Sequence, residues 1–371
     1  MRRWLRLAVV GSAIVALAAT GIILTRSVAT TIDATAASFA QLTGGGGSAV
    51  QYPATGVTLV AQAPCDYWIG GNGNFSTATN WSMGAVPNTA FDACITQTTS
   101  STPPAAADTY TVLVDGGNSV GSLQLGGPGG TQTLQLAGNN MPFSINTVGT
   151  INTNGVLLVG DNNASNGYSW LAAGGASSLL TNNGVLKTVQ GGGGSRLIRI
   201  NLTNAATGTV DIAAADTRQD FPTTTINNGT FTVEVGAGFA ISGNGGSFAN
   251  SAGSLTNNGT FSEAGNTFTQ RGGTESGNPI FLQGAILDDD LAAGGAKFLL
   301  SGGDITGTAS QPGVATGQVV TLAGDGTRVL IDKSLTNAGA ITLGDAGSGY
   351  SWLGMGTNSL VLTNTGHLNT V

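Results

Sequence analysis

A short pattern, approximately apolar-Thr-Asn-x-Gly-x-apolar, recurs along the chain and constrains its fold more than any other feature. Its glycines are Gly155, Gly184, Gly208, Gly229, Gly259, Gly339 and Gly366. Two places after them stand Leu157, Leu186, Val210, Phe231, Phe261, Ile341 and Leu368, all apolar. The intervening residues, Val156, Val185, Thr209, Thr230, Thr260, Ala340 and His367, share no character. One position is kept for a core while its neighbour varies, the period-two signature of a β-strand. Asn stands two places before the Gly in five of the seven, at Asn182, Asn227, Asn257, Asn337 and Asn364. Asn and Gly tolerate positive φ, so each pair is expected to turn the chain into a new strand. A hairpin would place its strands only a few residues apart. Successive glycines here are mostly 21 to 30 residues apart, which is closer to one coil of a β-solenoid.

Stacking also accounts for an unusual composition. Charged residues make up 8% of the 371, against about 25% in typical globular chains. Equivalent side chains in stacked coils lie about 4.8 Å apart. Two like charges at that distance repel by about 0.9 kcal/mol even in a water-like dielectric. A column of charges repeats that cost at every step, whereas Asn, Thr and Ser can hydrogen-bond to their own kind. The Asn residues are therefore expected to align in columns. The apolar 40% is patterned rather than scattered, which argues against disorder of the main body. With 12 Lys and Arg and a net charge of −7, the chain offers no clustered cations for nucleic acid or anionic lipid.

The ends and cysteines bear on location. Arg2, Arg3 and Arg6 precede an apolar run from Leu7 to Leu24, then small residues, the order of a secretory signal. Residues 1–36 are read as a signal peptide, cleaved rather than kept as an anchor. Residues 37–63, with "GGGGS" and "QYPATG", are read as a flexible linker, so contact with a membrane is expected only through the leader. Residues 64–109 form a cap module and 110–371 the solenoid. Export makes a disulfide plausible for Cys65 and Cys94, the only cysteines. A longer repeat lies over the short one: "GYSWL" begins at Gly167 and again at Gly349, 182 residues later, and "LAG" at Leu136 returns at Leu322, 186 residues later. The two copies are expected to be equivalent coils, with the second cycle cut short, so the chain is read as truncated.

Sites for chemistry are sparse. His367, the single histidine, replaces Val185 of the earlier copy on the variable strand face and has no evident catalytic partner. Asp288, Asp289 and Asp290, with Glu275 and Arg271 near in sequence, are the best acidic candidate: a Ca²⁺ site or a lyase-like centre, weighed against a solvated loop. Their spacing matches no calcium motif, and no cofactor is assigned. The Gly191–Ser195 run "GGGGS" lacks the Lys and helix of a phosphate loop and is read as a connection between coils. Tyr168 with Trp170, and Tyr350 with Trp352, share strand faces and are candidate glycan contacts, weighed against packing under a loop.

One stretch carries a resemblance. Trp68, Gly70, Gly73, Phe75, Asn80, Trp81, Gly84 and Pro87 follow Trp-x-Gly-x-x-Gly-x-aromatic, then Asn-Trp, then Gly-x-x-Pro, with Phe75 where Trp is more usual. This resembles a motif of large bacterial secreted, autotransporter-like proteins. The resemblance implies that a right-handed parallel β-helix of the pectin-lyase-like kind follows. The expectation is an all-β chain: a right-handed parallel β-helix with a small, disulfide-closed β-rich cap over its otherwise unpaired end. The expected function is a secreted or cell-surface, adhesin-like scaffold that binds a glycan or a host or neighbour-cell protein without catalysis. The alternatives are a polysaccharide lyase or hydrolase on the same frame and a non-catalytic glycan-binding module.

Overall fold

The computed structural model describes 14–18 and 21–25, then 64–96 and 109–371 apart from 138–139, 162–166, 192, 243–244, 309, 325 and 345–349. The expected signal peptide and linker lie almost wholly outside the described residues. Contacts divide the chain into Met1–Pro64 and Cys65–Val371. In the first unit, Ile14–Ala18 pairs antiparallel with Gly21–Thr25. Among the described residues no helix is long and apolar enough to cross a membrane.

The second unit is a parallel β-solenoid of about twelve turns. Each regular turn visits three sheets. The first contains Ser169–Ala173, Arg196–Arg199, Thr217–Gln219, Gly238–Ile241 and Thr260–Ala264, paired in parallel. The second contains Leu179–Asn182, Asn201–Asn204, Thr224–Asn227, Ser247–Asn250 and Thr267–Gln270. The third contains Gly155–Val159, Val185–Thr188, Thr209–Ile212, Thr230–Val233, Ser254–Asn257 and Thr274–Gly277. Ile280–Asp289 and Lys297–Thr306 each run from the first sheet into the second without a break. They bend at Gly284 and at Gly302 and Gly303, whose positive φ of 57°, 79° and 99° only glycine adopts freely.

The core follows the alternation read from the sequence. Leu157, Leu186, Val210, Phe231, Phe261 and Ile341 are buried, while Leu368 in the last coil is 49% exposed. Fully burying each such side chain contributes about 1.5–3 kcal/mol. Between Phe231 and Phe298 the core fills with phenylalanines from all three sheets. Phe248 stacks on Phe268 at 5.4 Å, and Phe239 meets Phe261 edge-on at 5.1 Å.

The corners correct one expectation. None of the seven motif glycines has positive φ, and the one described non-glycine that does is Asn140. The glycines are needed for close approach. A Cβ on Gly155 would run into the carbonyl oxygen of Leu125, on Gly208 into that of Asn182, and on Gly229 into those of Ala205 and Gly208. The Asn residues point inward. Asn182 Nδ2 donates to Asn204 Oδ1 at 2.9 Å, Asn204 to Asn227 at 2.8 Å, Asn227 to Asn250 at 3.0 Å, and Asn250 to Gln270 Oε1 at 3.2 Å. Each of these four amides also donates to a backbone carbonyl of the next coil, at Thr209, Thr230, Ser254 and Thr274. The expected column exists, and it closes the strand ends of the second sheet from within.

The expected cap is continuous with the solenoid rather than set apart from it. Cys65–Tyr67 pairs with Asp92–Ile95 and that strand with Leu123–Leu125, while Gly73–Asn74 pairs with Tyr110–Val114. Trp68 and Trp81 meet edge-on at 5.1 Å, and Phe75 lies 4.8 Å from Trp81, all three buried. Gly70 and Gly73 leave room for the Asn80 side chain. Cys65 and Cys94 form the disulfide.

Candidate functional site

The acidic cluster does not assemble. Asp288 and Asp289 belong to the strand Ile280–Asp289, not to a solvated loop, so successive carboxylates take opposite faces. Asp288 accepts from Arg271 Nη2 at 3.0 Å, from the Thr308 amide at 2.7 Å and from the Thr308 hydroxyl at 2.8 Å. Asp289 points into the core in register with Gln270 and accepts from Gln318 Nε2 at 3.1 Å. Burial pushes the Asp289 carboxyl well above the ordinary range. Asp290 accepts from the Ala292 amide in the following turn. Among the described residues, no group of three or more His, Cys, Asp or Glu is arranged to hold a metal ion.

Glu275 and Glu263 are likewise turned inward. Glu275 follows Leu255 in the core column of the third sheet, and burial raises it to about 7. Glu263 lies between Ile241 and Leu282, neither carboxylate oxygen has a hydrogen-bond partner, and burial raises it to about 8. His367 is exposed on the outer face beside Ala340.

The outer face of the first sheet is where polar chemistry gathers. Arg196, Arg199 and Arg218 stand on adjacent strands of this sheet, Arg196 buried and the other two outside, while Lys187 of the third sheet pairs with Asp211. Arg199 binds Asp220 through Nε and Nη2, both at 2.6 Å, and its guanidinium lies 4.7 Å from the Trp170 ring centre. Arg218 binds Asp216 through Nε at 2.8 Å and Nη2 at 2.9 Å, and Ser195 Oγ donates to Asp216 at 2.5 Å. These hydrogen bonds hold Asp216 and Asp220 below the usual carboxylate range.

The candidate aromatic pairs divide. Trp170 is half-buried beneath Arg199, which is packing, while Tyr168 next to it is 42% exposed. Tyr350 and Trp352 are both exposed and stack at 6.0 Å with a 28° tilt. The Arg199–Asp220 pair was not legible in the sequence because its partners come from different coils, and Arg218–Asp216, two residues apart, carries no motif. The crowding of scarce cations beside Tyr168 was the signal that could have found them. The shallow groove of about 460 Å³ bordered by Tyr67, Gln124, Pro128 and Asn152 has no charged residue in its lining. No family model, no curated protein and no solved structure matches the chain.

Proposed function

We propose that the chain is a secreted or cell-surface, adhesin-like scaffold whose solenoid gives length and rigidity and whose outer faces contact a partner. The observation that carries this reading is the continuous solenoid with an internal amide ladder and an outer surface of local ion pairs. Each cation of the first-sheet patch is occupied by a carboxylate or by backbone carbonyls, as befits a surface built to persist rather than to react. The disulfide and the basic, apolar, small order of the first 36 residues support export. The lyase alternative has less support, because the Asp288 carboxylate is tied by Arg271 and Thr308.

The test is to express the full chain with a C-terminal epitope tag in its native host. The tag should be cut by protease added to intact cells, or appear in the medium, on a chain whose cysteines resist alkylation. A reduced, protease-protected chain in the cytosol discards the reading. Release of new chain ends from polygalacturonate by purified protein would replace it with the enzymatic alternative.

A further inference from the structure

We propose that Tyr168, with Arg218 and Asp216 at its edge, is a stacking subsite for an uncharged carbohydrate. This rests on the reading of the chain as a surface scaffold and names what its first sheet contacts. The tyrosine is held from three sides. Asn140, in the preceding coil, donates its amide to the Tyr168 carbonyl at 3.0 Å and accepts the Tyr168 amide on Oδ1 at 2.8 Å. It reaches both groups in a left-handed conformation, φ 62°, which Asn adopts more readily than most residues. Gly167 has no Cβ where the Asn140 amide sits.

The underside of the ring is filled. A Cβ on Gly194 would stand 3.2 Å from three of the ring carbons, so Tyr168 rests against a bare backbone. That backbone is anchored in turn by the buried Arg196, whose Nη1 donates to the Gly194 carbonyl at 2.7 Å. The rim carries the Arg218–Asp216 pair, with side chains 50% and 47% exposed. Ser195, the next residue after Gly194, donates its hydroxyl to Asp216 at 2.5 Å, and the Arg196 amide donates to the Asp216 carbonyl at 2.8 Å, which brings the pair beside the backbone under the ring.

This combination selects a ligand class. An aromatic face held against its backing presents an apolar plate at no cost in side-chain ordering, and the C–H face of a pyranose matches it. A planar guanidinium locked to a carboxylate offers donors and an acceptor at fixed spacing, suited to vicinal hydroxyls. The positive charge is already neutralised, so the patch has no net field to attract an acidic polymer.

The long repeat rebuilds one bond of this clamp. Gly326, with φ 70°, donates its amide to the Tyr350 carbonyl at 2.9 Å, as Asn140 does to Tyr168. There the plate is extended by Trp352. The two platforms open on different sheets, which allows one rod to engage two segments of a polymer with combined strength.

The full chain is run by native electrophoresis through gels containing β-glucan, xyloglucan, glucomannan or arabinoxylan, with polygalacturonate as the acidic comparison. Retardation in at least one neutral gel is expected. Tyr168→Ala should weaken it by about fivefold or more, Tyr168→Phe should keep it, and adding Tyr350→Ala should abolish it. The bonds to Asn140 use the Tyr168 backbone and the outer side of the ring faces solvent, so these variants should melt close to the parent. No retardation in any neutral gel, retardation by polygalacturonate alone, or an unaffected Tyr168→Ala overturns the proposal. A chain that is displayed on cells but not retarded removes only the subsite and leaves the scaffold reading intact.

Discussion

Glu263 shows how a single residue sets the response of the whole column to pH. Its carboxyl lies between Ile241 and Leu282 without a hydrogen bond, so the charged form loses its hydration and gains nothing in return. Burial raises it from 4.5 to about 8. The folded chain therefore holds a proton that the unfolded chain releases above about pH 4.5. Its contribution is fully present below that value and is lost as pH rises towards 8, at about 1.4 kcal/mol per pH unit. Glu275, raised to about 7, and Asp289, raised well above its usual value, act in the same sense. Calorimetry from pH 5 to 8 should show a melting temperature that falls as pH rises. Glu263→Leu should flatten that fall and melt higher than the parent at pH 8. Equal slopes in the two proteins would show that Glu263 reaches water.

At the level of strands and corners, much of the structure was legible and one part was misread. The alternation that put Leu186, Val210 and Phe231 inside was plain, because the side-chain period of a strand is two. The corner was plain too, but its chemistry was not. Asn227 was read as a turn residue accepting positive φ, whereas it is an inward rung of an amide ladder. Asn204 and Asn250, which lie off the motif spacing, are rungs as well. Burial of a polar side chain becomes visible only when its partner in the next coil is known. The 30-residue step from Gly229 to Gly259 concealed a second point. Gly229 stands between the second and third sheets and Gly259 between the third and first, so the same chemistry serves two corners. Two outcomes follow for single elements. Asn227→Leu strands the Asn204 amide and the Asn250 carbonyl, and should cost about 2–4 kcal/mol in thermal or denaturant unfolding. Gly229→Ala, whose Cβ meets two carbonyl oxygens, should destabilise more than Gly236→Ala, which meets nothing within 4 Å and suffers only its positive φ of 78°. The reverse order would mean that coil spacing at the corner is soft.

Across the whole molecule, the long repeat and the solenoid turn are out of step. Ser169–Ala173 belongs to the first sheet, but its counterpart Ser351–Met355 pairs with Thr327–Ile331 in the second. The two copies are thus not equivalent coils, as the sequence alone implied, but the same segment turned by one sheet. The solenoid accepts this because all three sheets ask for the same inward alternation, and only corner glycines and amides fix where a strand must end. The turn, not the sequence repeat, should then be the unit that can be removed. Thr230 and Ser254 are register partners, so deleting residues 230–253 takes out one strand from each sheet and joins Gly229 to Ser254. Asn227 would then face Gln270 and the amide ladder would close one rung shorter. In a column where each coil contacts only its neighbours, such a deletion should leave a soluble β-rich protein melting only modestly below the parent. Deleting 242–253 instead removes the second-sheet strand Ser247–Asn250 alone and carries every later strand onto the wrong sheet. Circular dichroism and melting of the two deletions should separate them clearly. Equal folding of both would mean that sheet identity is not set by the corners, and equal collapse would mean that the coils are not independent units.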